Sequence, residues 1–156
     1  MGPSQDALAA AVEASKEVAD WPVIATPVYA SHGTSKNPDY RTHRSAHADE
    51  VAGVSLDEMT RVAIESGADV IGAHCGHSLD VPDYLAIAQQ LLASPHRPAP
   101  TPVMIQPNGS RWGRQTLAES VPLFLDLGVR ILGGCCGTTP ADLRAMSEAM
   151  HDRGDR

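Results

Sequence analysis

The sequence has no apolar run approaching the ~20 residues that a helix needs to cross a bilayer, and no basic segment followed by an apolar core at its start. Both absences lead to the expectation of a cytoplasmic chain with no membrane partner. Positive charge is also short: 12 Lys and Arg against 19 Asp and Glu leave a formal net charge of -7, with a pI near 5.4. No Lys/Arg stripe relieves that balance, which argues against a nucleic-acid surface and leaves small molecules or proteins as partners. Cysteine is scarcer still, with three present: Cys75, Cys135 and Cys136. An odd number with two adjacent makes a poor disulfide framework, because neighbouring cysteines pair only through a strained ring and Cys75 would be left over. Reduced thiols on a metal fit better.

What is present is organised around Gly133-Gly134-Cys135-Cys136-Gly137-Thr138. The run follows Val129-Arg130-Ile131-Leu132, which reads as a short buried strand, and precedes Thr139-Pro140, which reads as the N-cap and first residue of a helix. Two thiols therefore sit in a strand-to-helix turn, where glycines permit sharp bends and close backbone approach and where the helix N-terminus adds partial positive charge. Cys75 occupies an equivalent spot: residues 68–73 read as a strand, and His74-Cys75-Gly76 is the turn beyond it. In a parallel sheet all such turns lie on one edge. Three thiolates meeting there make a soft, tetrahedral metal site with its fourth position vacant, the arrangement expected of catalytic rather than structural zinc.

In chain order, Leu8, Ala11, Val12, Val18 and Ala19 mark an amphipathic helix over residues 5–20, started by Ser4 or Asp6. Residues 22–29 read as a strand. Residues 30–53 are polar, carry His32, His43 and His47, and are long for a connection, so a lid or a partly disordered segment is expected. Ser55 and Glu58 have capping-box spacing and open a helix closed by Gly67. Asp80 caps another, ended by the Pro-rich stretch Ser94 to Pro102. Val103 to Gln106 is the third strand and Pro107-Asn108-Gly109-Ser110 its turn. A helix then starts near Thr116 with Glu119 as a capping box, kinked or begun at Pro122 and closed by Gly128. The last helix runs from Pro140 to about His151.

The order is αβαβαβαβα, and helix-length connections make the strands parallel. Residues 1–156 are read as a single metal-binding domain in which the opening Met1 to Ser4 carry no functional weight. The length suits one domain but falls short of the ~200 residues or more of a complete eight-stranded α/β barrel. Four parallel strands are half of a barrel or a small open sheet. Half a barrel would leave apolar faces and two edges uncovered, so a second copy or a complementary chain is expected to cover it.

Three runs now carry a resemblance. Gly67-Ala68-Asp69-Val70-Ile71-Gly72-Ala73-His74-Cys75-Gly76, Gln106-Pro107-Asn108-Gly109 and Gly128 through Pro140, with its Gly-Gly-Cys-Cys-Gly-Thr-Thr-Pro core, resemble the homocysteine S-methyltransferase family, which includes betaine-homocysteine methyltransferase and the homocysteine-binding domain of cobalamin-dependent methionine synthase. The resemblance implies a TIM (β/α)8-barrel type of α/β fold, with this chain a four-stranded parallel half-barrel covering the fifth to eighth strands. It implies zinc held by Cys75, Cys135 and Cys136, and a homocysteine thiol activated as methyl acceptor for in-line displacement. It also implies that the first four strands, with a Gly-rich turn that helps hold the amino acid, lie outside this chain. The family commonly has Asn where this chain has His74.

Several residues carry more than one reading. His74 could ligate metal, contact substrate or serve structure. Asn108, with Gly109, could bind substrate or simply form a turn. Trp112, Arg111 and Arg114 could bind a carboxylate, clasp a partner or sit in a solvated loop. Besides homocysteine methylation, the zinc site could serve methyl transfer involving a corrinoid protein or another thiol, or it could be structural in a non-catalytic half-barrel module.

Overall fold

A computed structural model describes residues 4–32, 39–42, 53–76 and 78–154. Helix α1 (Gln5–Val18) leads to β1 (Ile24–Ala25), a hairpin of β2 (Tyr29–Ser31) and β3 (Tyr40–Thr42), then α2 (Leu56–Glu65), β4 (Val70–His74), α3 (Val81–Ala93), β5 (Val103–Gln106), α4 (Gly109–Leu127), β6 (Ile131–Leu132) and α5 (Pro140–Gly154). The main sheet runs β1-β4-β5-β6 and every pairing in it is parallel, with Ile24 beside Val70, Ile71 beside Val103 and Met104 beside Ile131. The expected α/β architecture of four parallel strands with flanking helices is what the chain adopts. Among the described residues no helix is long and apolar enough to cross a membrane.

The helices begin where side chains satisfy their first N–H groups. Ser4 accepts from Ala7 N, Ser55 from Glu58 N and Asp80 from Asp83 N. The Asp80 box is reciprocal, because the Asp83 carboxylate accepts from Asp80 N at 3.1 Å. Glu58 does not close the box expected with Ser55; its carboxylate pairs with Arg61 and Gln5 instead. Apolar faces of α2, α3 and α4 then bury Met59, Tyr84, Ile87, Leu91, Leu117, Val121 and Phe124 against Ile71, Val103 and Ile105 of the sheet. Each such large side chain contributes roughly 1.5–3 kcal/mol by leaving water.

Several expectations are corrected. The strand read over residues 22–29 contributes only Ile24–Ala25 to the parallel sheet. Pro22 and Pro27 have no N–H for a ladder, and beyond Pro27 the chain turns into an antiparallel hairpin that buries Tyr29 and Tyr40. The segment 30–53 thus has ordered ends, tied by Thr42 N donating to Val54 O at 2.8 Å; the lid expectation falls on residues 33–38 and 43–52, outside the described residues, as do His43 and His47. Helix α4 opens with a short turn at Gly109 capped by Asn108 and breaks at Gly113 rather than Pro122; the long run after that break begins close to the expected Thr116 start. No Thr116 box forms, because Glu119 accepts from the Gln115 side chain. Finally, β6 is shorter than residues 129–132, because Val129 N is spent closing α4 on Phe124 O while Gly128 takes φ 106, the six-to-one bond of a Schellman cap.

Candidate metal centre

Because β4, β5 and β6 run parallel, the turns after them share one rim of the sheet. Backbone bonds then lock those turns to one another. Cys75 N donates to Gln106 O at 2.9 Å and Cys135 N to Pro107 O at 2.9 Å, so both turns are hung on the end of β5. Cys75 takes φ 65, and Gly76 N reaches His74 O at 2.9 Å, a γ-turn with a positive-φ centre. A non-glycine residue there stores strain, which surrounding contacts must over-determine.

The doublet is held as tightly. Cys136 O accepts from Ser110 N at 2.9 Å and from Ser110 Oγ at 3.3 Å. Gly137 follows at φ 73, where an added Cβ would lie 1.8 Å from Ser110 Oγ; only glycine fits that approach. Thr138 packs into the space left by Gly109 and Gly134, whose Cβ positions would fall 2.3 Å and 2.2 Å from its Oγ1. Beyond it, Thr139 N and Oγ1 both donate to Asp142 Oδ2 at 2.8 Å and 2.6 Å, and Arg114 Nε lies 3.1 Å from Asp142 Oδ1. The Thr139 hydroxyl and N–H, with the Arg114 guanidinium behind them, hold the Asp142 carboxyl below the usual carboxylate range.

The outcome is that the sulfurs meet. Cys75 Sγ lies 3.3 Å from Cys136 Sγ, Cys135 Sγ lies 3.9 Å from Cys136 Sγ, and all three fall within 4.8 Å of one another. Sulfurs at ~2.3 Å from a tetrahedral zinc are ~3.8 Å apart, so the spacing fits a three-thiolate metal site. Cys75 and Cys135 are half-buried and Cys136 is exposed, which leaves the cluster open on its outer side. Among the described residues this is the one group of three or more potential ligands gathered closely enough for a metal.

His74 stands outside that group. Its Nδ1 hydrogen-bonds the Thr26 carbonyl, and it lines a groove of about 290 Å³ with Leu8 and Val12 of α1 and Thr26 and Pro27 beyond β1. Asn108 does lie at the cluster: it is 4 % exposed, its Oδ1 caps α4 by accepting from Arg111 N at 3.2 Å, and its Nδ2 is 3.8 Å from Cys75 Sγ. Gly109 is buried behind Thr138.

Trp112 does not sit in a solvated loop, whereas Arg111 and Arg114 beside it are exposed. Trp112 is buried, its Nε1 donates to Leu79 O at 3.2 Å, and Arg111 Nε donates to the same oxygen at 3.1 Å, tying the start of α4 to the turn after Cys75. The Trp112 ring meets Tyr84 edge-on at 5.4 Å and stacks on Phe124 at 6.5 Å. Tyr84 is the residue that sequence reasoning passed over as ordinary core. Its hydroxyl is buried without a hydrogen-bond partner, and its pKa is pushed well above the phenol range by burial first and then by charge on Cys75 and Cys135. No periodicity signals this, because an apolar helix face uses Tyr as it uses Phe.

Comparison with solved structures finds the homocysteine methyltransferase MmuM from Escherichia coli. In its apo form it shares 20 % identity and a TM-score of 0.62 over 94 % of this chain and 47 % of that one. In its oxidized form the identity is 26 % and the TM-score 0.50, over 62 % of this chain and 30 % of that one. The chain therefore spans less than half the length of the solved relative, and the likeness speaks to fold: the sheet and helices form the half-barrel expected from the sequence. No curated protein gives a significant match. The model of the family described as homocysteine S-methyltransferase matches residues 3–150, a span that includes every turn of the thiol rim, and the chain belongs to that family.

Proposed function

We propose that this chain is the zinc-binding half of an S-methyltransferase that presents homocysteine, or a thiol like it, as methyl acceptor. The observation that carries the reading is the approach of three sulfurs to within 4.8 Å of one another on an open rim. Cys75, Cys135 and Cys136 would hold the metal. Zinc on three thiolates keeps a position for an incoming thiol and favours its deprotonated, nucleophilic form at neutral pH. The acceptor sulfur then forms its bond to the methyl carbon as the donor's bond to that carbon breaks.

The chain's own residues set the stage for that displacement. Asn108 steadies the Cys75 sulfur from one side, and it is proposed on the substrate side together with Gly109 next to it. His74, at the end of β4, faces the groove toward β1 and is proposed on the substrate side with these two. The remaining wall of the acceptor pocket would come from another chain or a second copy that completes the barrel; Val18, Trp21 and Ile24 are exposed on the side where cover is lacking.

Metal analysis of purified protein should find about one zinc per chain, and Cys136→Ala should lose most of it; full retention would reject the assignment. Methyl transfer assayed with a panel of thiols and donors, with the mass in solution measured in parallel, separates homocysteine chemistry from corrinoid-linked transfer. The uncovered β1 side favours one further reading, a non-catalytic module with structural zinc. Zinc binding without turnover of any thiol in the completed assembly would establish that reading instead.

A further inference from the structure

The first turn of α4 is set apart from the rest of its helix. Gly113 takes φ 70 and ψ 167, a conformation essentially reserved for glycine, and a Cβ there would meet nothing within 4 Å. Glycine is needed at that position for the bend and not for space. The bend lets residues 108–112 take their own direction, and the turn they make is closed on itself: Arg111 N and Trp112 N both reach Asn108 O, at 3.2 Å and 3.1 Å.

This turn touches both sulfur-bearing turns, one on each side. Toward the doublet, Ser110 N and Oγ both donate to Cys136 O, at 2.9 Å and 3.3 Å. Toward Cys75, Asn108 Nδ2 lies 3.8 Å from Cys75 Sγ, while Trp112 Nε1 and Arg111 Nε converge on Leu79 O at 3.2 Å and 3.1 Å. Leu79 belongs to the Cys75 turn. Its N donates to Gly76 O at 2.9 Å, and its side chain lies so close over Gly76 that a Cβ there would fall 2.4 Å from Leu79 Cδ1. The end of β5 holds Cys75 and Cys135 by their N–H groups, whereas Cys136 is fastened through its carbonyl, to Ser110. Cys75 Sγ and Cys136 Sγ, 3.3 Å apart, are therefore the pair whose spacing the turn spans.

Burial does not account for these polar bonds. The Trp112 ring packs against Tyr84 and Phe124, a place that a phenylalanine ring could fill, and Arg111 is exposed. What the indole N–H and the guanidinium add is a shared hold on one carbonyl of the Cys75 turn. We propose that residues 108–112 act as a clip that sets the distance between Cys75 and Cys136, with Trp112 and Arg111 as positioning residues of the metal centre on one arm and Ser110 on the other. The inference rests on the metal reading of the three cysteines and adds the part that holds them at ligand spacing. Groups that orient metal ligands in this way matter to affinity, because a ligand set that must first be gathered binds more weakly than one already in place.

The test combines Trp112→Phe with Arg111→Met in the full chain, which keeps a ring and a stem and removes both donors from Leu79 O. Zinc affinity is measured by chelator competition at a temperature where circular dichroism shows the metal-free chain folded, and the thiolate-to-metal absorption bands of the cobalt-loaded protein are recorded beside it. Affinity should fall about 10-fold or more and the cobalt bands should shift. Val121→Ala, at a buried position of α4 beyond the bend, is the control: it should lower the unfolding midpoint and keep wild-type affinity and bands. Should the double variant not fold, Ser110→Ala at its exposed position reads the other arm, with an expected loss of about 2–10-fold. Wild-type affinity in the double variant, or in Ser110→Ala where that is the variant read, overturns the clip and leaves the cysteine site standing. An equal loss in Val121→Ala overturns it too, since affinity would then follow stability in general. Wild-type protein that binds no zinc, or Cys136→Ala that binds it fully, overturns the metal reading itself and this inference with it.

Discussion

The rim that carries the sulfurs and the edge made by β1 belong to one parallel sheet, yet they are secured in different ways. At the rim, three consecutive turns bond to each other: Cys75 to Gln106, Cys135 to Pro107, Cys136 to Ser110. At the other side, β1 is two residues long, pairs with β4 alone, and leaves Ile24 49 %, Trp21 76 % and Val18 84 % exposed. A metal site needs only that ligands from neighbouring turns converge, whereas a substrate pocket needs walls all round. The half-barrel therefore carries a gathered cluster of three cysteines that could hold a metal and an open edge at β1.

The comparison can be broken most directly at the cysteines. Cys75→Ala should remove most bound zinc without unfolding the chain, as followed by metal content and circular dichroism; full zinc with an intact spectrum would show that the rim does not act as a unit. Beneath the rim, Phe124→Ala should cost ~3–5 kcal/mol in denaturant unfolding, because its ring is fully buried behind Trp112. Gly137→Ala should cost ~1–3 kcal/mol, since positive φ and contact with Ser110 leave no room for a methyl group. By contrast, Trp21→Ser at the β1 edge should change the unfolding free energy of the isolated chain by no more than ~0.5 kcal/mol while reducing association measured by sedimentation.

A smaller, pH-dependent effect separates the two regions again. Asp142 caps the helix behind the doublet, and its folded-state pKa lies below the unfolded value. Its contribution is therefore present above ~pH 4 and lost as pH falls through the folded value. Asp142→Asn should lower stability at pH 7, and the difference from wild type should close under acid titration; a difference constant with pH would show that the charge plays no part.

The contrast also explains how much was legible beforehand. Glycines, cysteines and the Thr139-Pro140 helix start are local signals, and each names its own turn, so the βα order and the thiol convergence could be read from spacing. The hairpin of Tyr29 and Tyr40 could not, because its pairing depends on tertiary burial that outweighs the strand pattern across Pro27. The extra first turn of α4 is not legible for a related reason: the Asn108 cap and the Gly113 break look like loop chemistry in sequence, and it is the packing of Trp112 against Leu79, Tyr84 and Phe124 that makes them a helical turn. Tyr84 was invisible as anything but core, since an orphaned hydroxyl is a property of surroundings.

Zinc-edge X-ray absorption on the purified chain, before and after addition of homocysteine, tests the central claim most directly. The account predicts three sulfurs at ~2.3 Å with one lighter ligand, changing to four sulfurs when homocysteine is present. A centre with fewer than three sulfurs, or one already closed by four protein ligands and indifferent to the thiol, would contradict it.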